Sequence, residues 1–339
     1  MSNVTLKDIA EILGVSVTTV SKALKDYKDV KKETREAVRL LAEKLNYKPN
    51  PLALNLRNKE SKTIGVIIPR IDHNFYSNVL NGIIEEAESR GYLVIILFSG
   101  DSAKLEKEQV ELLKDKRVDG VLVAVATEAK EVDHLKELMR NNIPLVLFDK
   151  VVEDLKCSKV SIDDEKAAFD AVTYLIDSGC GHIAHLRGPL PTETYTNRYL
   201  GYKKAVEAAE IQFDPSLVYV SEELSFEDGY DLAKKVMSEH PEVDAIFAMT
   251  DLVAMGCLAF CKDEGIKVPE QVSIMGFSNW FMSRNSSPKL STVDQPITLL
   301  GKEATSILIN EIKEKKEDSR SLYRSVKLPT KVIARETTR

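Results

Sequence analysis

Apolar residues recur at helical spacing through the first fifty positions of the chain. Leu6, Ile9, Ala10 and Leu13 form one stripe, and Thr5 followed by Asp8 makes a capping box before it, which predicts a helix over about residues 6 to 13 that Gly14 stops. Ser16 can cap a second helix over Val17 to Lys25. Its apolar positions are Val17, Val20, Ala23 and Leu24, with Thr18, Thr19, Ser21, Lys22 and Lys25 on the other side. A third helix, about Lys32 to Leu45, carries Val38, Leu41, Ala42 and Leu45. Two short helices joined by a tight turn containing glycine are the signature of a helix-turn-helix, and the third helix completes a small shared core.

Two prolines within Tyr47-Lys48-Pro49-Asn50-Pro51 then break any helix and open a linker that reaches Lys62, with room for a short helix over 52–57. Beyond it the pattern becomes short apolar runs alternating with amphipathic stretches. The runs are 63–68, 93–98, 118–123, 145–148, 182–186, 217–220, 245–248, 272–275 and 290–293; helical segments such as 79–88, 106–113, 167–176 and 199–209 separate them. Runs apolar on both faces, separated by helices, predict βαβ units and parallel sheets covered on both sides. The 277 residues after Lys62 are too many for one such sheet, so two doubly wound lobes of five or six strands are expected. The resulting division is 1–48 for the helix-turn-helix, 49–62 for the linker and 63–339 for the two lobes. The first lobe is expected over 63–158 with 294–322, the second over 159–293 with 323–339, and the polar 151–161 segment is the expected first crossing. A cleft between the lobes would collect strand-end loops from both.

The charge balance sharpens this division. The whole chain carries 47 Lys and Arg against 53 Asp and Glu, a net charge of −6, which argues against a protein that coats nucleic acid or membrane with its whole surface. Residues 1 to 62 alone hold 13 basic against 8 acidic side chains, net +5, which leaves net −11 for the remainder. A small basic module is joined to a large acidic one. Four scattered cysteines do not make a disulfide framework, the N-terminus does not read as a signal peptide, and no stretch has the roughly 18 apolar residues of a membrane helix. A cytoplasmic protein is expected.

On the second helix, Val17, Thr18 and Lys22 are placed to read bases: Val17 against a thymine methyl, Lys22 against the O6 and N7 edge of guanine. Thr5, Ser16, Thr19, Ser21, Thr34, Tyr47 and Asn50 suit phosphates. These residues also carry a resemblance. Val4-Thr5-Leu6-Lys7-Asp8-Ile9-Ala10, Gly14 to Lys22, Thr34-Arg35 and Leu45-Asn46-Tyr47-Lys48-Pro49-Asn50 resemble the headpiece of the LacI/GalR family of bacterial transcription regulators. Thr63-Ile64-Gly65-Val66-Ile67-Ile68-Pro69 and Val272-Ser273-Ile274-Met275-Gly276-Phe277 are similar to strands of its effector domain. The resemblance implies a homodimer on a pseudo-palindromic operator, with a core domain similar to periplasmic sugar-binding proteins. It implies a hinge helix in the linker with Leu56 as the minor-groove wedge; Leu6 and Ala53 complete the expected DNA-facing set.

For the cleft, the resemblance implies an aromatic pair at Phe75 and Tyr76, a strand-end carboxylate at Asp149, an anchoring arginine at Arg198, a stacking ring at Phe226 and an aspartate at Asp251. Arginine, carboxylates and aromatic plates suit a polyhydroxylated ring, so a sugar or sugar derivative is expected. Two positions depart from the family pattern: Thr250 stands where Asn is usual, and Ser278, in Ser278-Asn279-Trp280, where Asp is common. Trp280 either borders the cleft or packs between subunits. Cys180-Gly181-His182 has no second pair at zinc spacing nearby in the sequence, and no GxGxxG, Walker loop or Gly-x-Ser-x-Gly elbow is present, so neither a metal, a cofactor nor a catalytic activity is expected. A sugar-binding protein without a DNA role is the alternative.

Overall fold

A computed structural model describes residues 4–47, 60–71, 74–127, 132–190, 192–316 and 322–339. The chain divides into two compact units, Met1–Ser61 and Lys62–Arg339. The first unit contains α1 (Leu6–Leu13), α2 (Val17–Leu24) and α3 (Lys32–Lys44). The capping box ahead of α1 closes in both directions: the Asp8 N–H donates to Thr5 Oγ1 at 3.3 Å and the Thr5 N–H to Asp8 Oδ2 at 2.7 Å. Gly14, with φ 61°, ends α1 in the left-handed region, and the Thr19 N–H donates to Ser16 Oγ at 3.1 Å to start α2. Ile9, Ala10, Val20, Ala23, Val30, Val38 and Ala42 bury into one small core. Val17 departs from its place in the apolar stripe and lies 44% exposed at the start of α2.

The second unit runs β1 (Thr63–Ile68), α4 (Asn74–Ser89), β2 (Leu93–Phe98), α5 (Ala103–Asp115), β3 (Gly120–Val123), α6 (Asp133–Arg140), β4 (Leu145–Phe148) and β5 (Ser158–Ile162). It continues with α7 (Asp164–Asp177), β6 (Ile183–Arg187), α8 (Glu193–Ala208), β7 (Val218–Val220), α9 (Phe226–Glu239), β8 (Ala245–Ala248), α10 (Asp251–Asp263) and β9 (Ser273–Ser278). It ends with α11 (Phe281–Asn285), β10 (Ser291–Asp294), α12 (Ile297–Lys316), β11 (Ser325–Leu328) and β12 (Lys331–Ile333). Two six-stranded sheets result, ordered β11-β5-β4-β3-β1-β2 and β12-β10-β9-β8-β6-β7, with every pairing parallel except β10 with β12. Strands β3, β4 and β8 are buried at every position, as a parallel sheet covered on both faces requires.

Three strands lie outside the apolar runs, and two of them, β5 and β11, move the lobe boundaries. β5 reads Ser-Lys-Val-Ser-Ile and is buried throughout because its polar groups find partners: Ser158 Oγ donates to Glu311, and Lys159 Nζ to the Glu153 carbonyl at 2.7 Å. The expected crossing over 151–161 is therefore wrong. The chain stays in the first sheet through Ile162 and crosses at Asp163, so 159–162 belong to the first lobe, as does β11 within 323–339. β11 and β12 are half-exposed edge strands, where alternating polar residues hide the signal. Among the described residues, no helix is long and apolar enough to cross a membrane.

Helices on these sheets meet at glycines. A Cβ on Gly82 would lie 2.1 Å from the Thr298 carbonyl oxygen, joining α4 to α12, and one on Gly256 would lie 2.1 Å from the Phe226 carbonyl oxygen, joining α10 to α9. Backbones this close leave no room for a methyl group. Gly256→Ala should therefore destabilise the second unit by about 2 kcal/mol, whereas Gly181→Ala, whose Cβ would meet nothing within 4 Å, should change stability by less than about 0.5 kcal/mol. Urea denaturation of the two variants checks this, and equal stabilities would refute the close-contact account.

Candidate functional site

The carboxyl ends of the strands of both sheets border one cavity of about 310 Å³. From the first sheet come Pro69 and Arg70 after β1, Asp101 after β2, Thr127 after β3, and Asp149 and Lys150 after β4. The second sheet supplies Pro189 after β6, Glu222 to Leu224 after β7, Met249 and Thr250 after β8, Ser278 and Trp280 at the end of β9, and Gln295 after β10. The remaining wall is helical: Phe75 and Tyr76 in the first turn of α4, Thr194, Tyr195 and Arg198 on α8. This is where doubly wound sheets bind ligands, because strand-end loops from each sheet converge there.

Side chains in the wall are held before any ligand arrives. The Tyr76 hydroxyl donates to Asp149 Oδ2 at 2.7 Å, with Phe75 packed edge-on to Tyr76 at a ring separation of 5.2 Å. Burial pushes the Asp149 carboxyl up to about 6, against the opposing pull of the Tyr76 hydrogen bond and the Lys150 charge. Arg198 is itself buried. Its Nε donates to Asp164 Oδ1 at 2.7 Å, its Nη1 to the Met249 carbonyl at 3.0 Å, and its guanidinium stacks 3.6 Å from the Phe277 ring centre. Lys150 Nζ donates to Asp101 Oδ1 at 2.8 Å and to Thr127 Oγ1 at 2.7 Å, while the Thr127 hydroxyl donates to the same Asp101 oxygen at 2.8 Å. Ser278 Oγ accepts from Gln295 Nε2 at 2.8 Å. Asp101, Asp149, Leu224 and Ser278 all have positive φ, at 61°, 59°, 52° and 116°. Non-glycine residues in this region cost roughly 1–3 kcal/mol each and persist only where surrounding structure enforces them.

Of the sequence-predicted cleft residues, Phe75, Tyr76, Asp149, Arg198, Ser278 and Trp280 border the cavity. Phe226 and Asp251 do not border it. Ser225 caps α9 by accepting the Asp228 N–H at 3.0 Å, so Phe226 enters the helix and packs its backbone on Gly256, while Leu224 reaches the cavity instead. Asp251 turns behind the cavity lip, where its carboxylate accepts the Trp280 N–H at 2.7 Å and the Thr292 hydroxyl at 2.5 Å; burial raises it to about 6. It positions Trp280, and its neighbour Thr250 faces the cavity.

Sequence reasoning missed Asp101, Thr127, Lys150, Tyr195 and Gln295, whose shared signal is position one to four residues beyond a strand or in the first turn of a helix. It also missed a buried support. Glu106 accepts the Ala126 N–H at 2.6 Å and meets His134 Nε2 at 2.6 Å, fixing the strand end that carries Thr127.

In the first unit, Thr5, Ser16, Val17 and Thr18 are exposed, and Leu6, Thr19, Ser21, Lys22, Thr34 and Tyr47 half-buried. Ser16 and Thr19 share a hydroxyl hydrogen bond at 2.8 Å, and Lys22 pairs with Asp29. Asn50, Ala53 and Leu56 lie outside the described residues.

Both units match family models. Residues 5–50 fit bacterial regulatory proteins of the lacI family, and residues 61–332 fit periplasmic binding proteins and the sugar binding domain of the LacI family. The chain is 33% identical over 335 residues to the ribose operon repressor of Halalkalibacterium halodurans, covering 99% of this chain and 97% of that protein. It is 32% identical over 338 residues to catabolite control protein A of Priestia megaterium, covering 99% and 100%. The lac repressor dimer bound to operator and the anti-inducer ONPF superposes with a TM-score of 0.86 at 25% identity, over 99% of each chain. A helix-turn-helix of this type ahead of a two-lobed sugar-binding fold, shared over nearly full length with repressors, leaves no place for the alternative without a DNA role: the chain belongs to the LacI family of DNA-binding transcription repressors.

Proposed function

We propose that the protein is a homodimeric repressor whose affinity for a pseudo-palindromic operator is set by a neutral polyhydroxylated ligand, a sugar or sugar derivative, held between its lobes. The observation that carries this reading is the charge pairing within the cavity wall. Lys150 is matched by Asp101, Arg198 by Asp164, and the Asp149 carboxyl by the Tyr76 hydroxyl. Across the whole lining, Arg70, Lys150 and Arg198 stand against Asp101, Asp149, Glu222 and Glu223, so the wall offers directional donors and acceptors without a net positive charge to capture an anion, and Phe75, Tyr76 and Trp280 offer apolar faces for a ring. On this reading α2 presents Val17, Thr18 and Lys22 to base edges while Thr5, Ser16, Thr19, Ser21, Thr34, Tyr47 and Asn50 hold phosphates, with Leu6, Ala53 and Leu56 completing the contact. Ligand and operator are linked: a ligand that fits one arrangement of the lobes better shifts the population toward it, and a coupling of about 1–3 kcal/mol changes operator affinity roughly 5- to 150-fold. The reading assigns the protein no reaction, metal or cofactor.

A thermal-shift panel of mono-, di- and oligosaccharides beside nucleosides and sugar phosphates tests the ligand class. A true ligand at 100 times its Kd adds about 2.7 kcal/mol of stability. A neutral sugar should raise Tm and alter operator affinity; stabilisation only by nucleosides or phosphorylated compounds would overturn the class. Arg198→Lys, which keeps a positive charge beside buried Asp164 but loses the planar fork, should weaken the response to that sugar at least about tenfold while operator binding persists. A normal response would remove Arg198 from the site.

The Asp149 carboxyl also predicts a pH dependence. Its value rises from 3.8 in the unfolded chain to about 6 in the folded protein, so folding favours the protonated form. The stability it contributes is complete below about pH 4 and lost as pH rises through about 6. Asp149→Asn retains an oxygen acceptor for Tyr76 and should be flatter than the parent over this window, by up to about 1.4 kcal/mol per pH unit. Urea denaturation of both proteins from pH 4 to 7 measures the difference, and parallel curves would contradict it.

A further inference from the structure

The loop between α2 and α3 brings two carboxylates back onto the basic side chains of the headpiece. Asp26, in left-handed backbone at φ 60°, pairs with Arg39 and lies 3.8 Å from Arg35 Nη1. These contacts tie the loop to α3. Asp29 does something different: it reaches across seven residues to α2 and takes the ammonium of Lys22, with both side chains about half exposed at 43% and 54%. Lys22 stands one helical turn after Thr18 on the face of α2 that this reading gives to base edges. An acid beside a DNA-facing lysine works against phosphate binding, so its presence calls for a reason.

The geometry points to Asp29 as a specificity-determining residue of operator recognition, acting through Lys22. This inference rests on the proposed role of Lys22 as a base reader. An ammonium has three donors, and Asp29 occupies one of them, leaving others for the O6 and N7 acceptors of a guanine. The pair as a whole is neutral. Lys22 held by Asp29 therefore adds little to the counterion release that drives binding to any duplex, whereas its directional hydrogen bonds to a correct base remain available. A phosphate that takes a remaining donor instead is brought close to the Asp29 carboxylate, a like-charge approach that a neutral base edge does not suffer. Asp29 thus penalises the non-specific complex more than the specific one, and it orients the ammonium toward the groove. Asp29 is a positioning residue, not a contact to DNA.

The test uses the full-length protein, with two duplexes of equal length: one enriched from a randomised pool by the unsubstituted protein, the other its shuffled sequence. Asp29→Asn keeps the size and an acceptor oxygen but removes the charge. It should strengthen binding to the shuffled duplex by up to about eightfold at about 0.1 M salt, with a log–log salt slope steeper by about 0.9, and strengthen binding to the enriched duplex less, so that the specificity ratio falls. In a Lys22→Ala background the same substitution should leave the ratio unchanged. Equal strengthening on both duplexes would reduce Asp29 to background charge and overturn the inference, and a ratio that falls as far without Lys22 would make Asp29 a direct contact and overturn it too. Lys22→Ala alone separates the underlying reading: a loss larger on the enriched duplex supports the base-reader role, and an equal loss on both refutes that role independently of Asp29. Circular dichroism verifies that each variant is folded; Asp29 and Lys22 lie outside the seven-residue core, so both substitutions should be tolerated.

Discussion

Parallel strands cannot be joined by tight turns, and a sheet that buries both faces must be crossed by helices. That constraint shapes the second unit of this repressor. Every strand of the parallel cores starts at one edge and ends at the other, so the segments free to vary gather at the carboxyl ends. In each sheet the order reverses, at β1 and β3 in one and at β6 and β8 in the other, which opens a crevice where successive connections diverge. The cavity is built from those strand ends. Its dependence on the core is direct, because a shift in a strand moves the side chain that follows it, and the close glycine contacts between α4 and α12 and between α9 and α10 limit such shifts.

The same rigidity explains how the wall tolerates unfavourable local states. Asp101, Asp149, Leu224 and Ser278 sit in left-handed backbone, and Asp149 and Asp251 keep carboxyl groups away from water. Each state is costly alone; buried strands precede Asp149 and Ser278, and hydrogen bonds hold the side chains of Asp101, Asp149, Asp251 and Ser278. The result is a preorganised surface whose donors are oriented before a ligand arrives. A flexible surface would have to order itself on binding and would lose affinity by that amount.

Charge is partitioned along the same lines. The first 62 residues are net +5 and the rest net −11. A net-negative sensor repels a duplex while a basic headpiece is drawn to it, which favours contact through the headpiece. Within the headpiece the attraction is itself moderated, since Asp26 and Asp29 occupy Arg39 and Lys22.

Local signals carried much of this architecture. The capping box before α1, the Ser16 cap, Gly14, the helical stripes and the apolar runs specify α1 to α3 and the central strands, because each depends on neighbours within a turn or on burial of both faces. The family-like positions Phe75, Tyr76, Asp149 and Arg198 were legible by resemblance, and the structure gathers them around one cavity. What needed the folded chain were features whose partner is distant in sequence. Ser158 and Lys159 become strand residues because Glu311 and the Glu153 carbonyl satisfy them, a fact invisible to a hydrophobic pattern. Phe226 is taken into a helix that Ser225 caps and is not among the residues lining the cavity, and Asp251 turns away because Trp280 and Thr292 claim its oxygens. Sequence alone therefore determined the three headpiece helices and the apolar central strands, since periodicity, caps and apolar runs are local. Only the tertiary structure decided which polar groups face the cavity, since that depends on which distant partner has already satisfied each donor and acceptor.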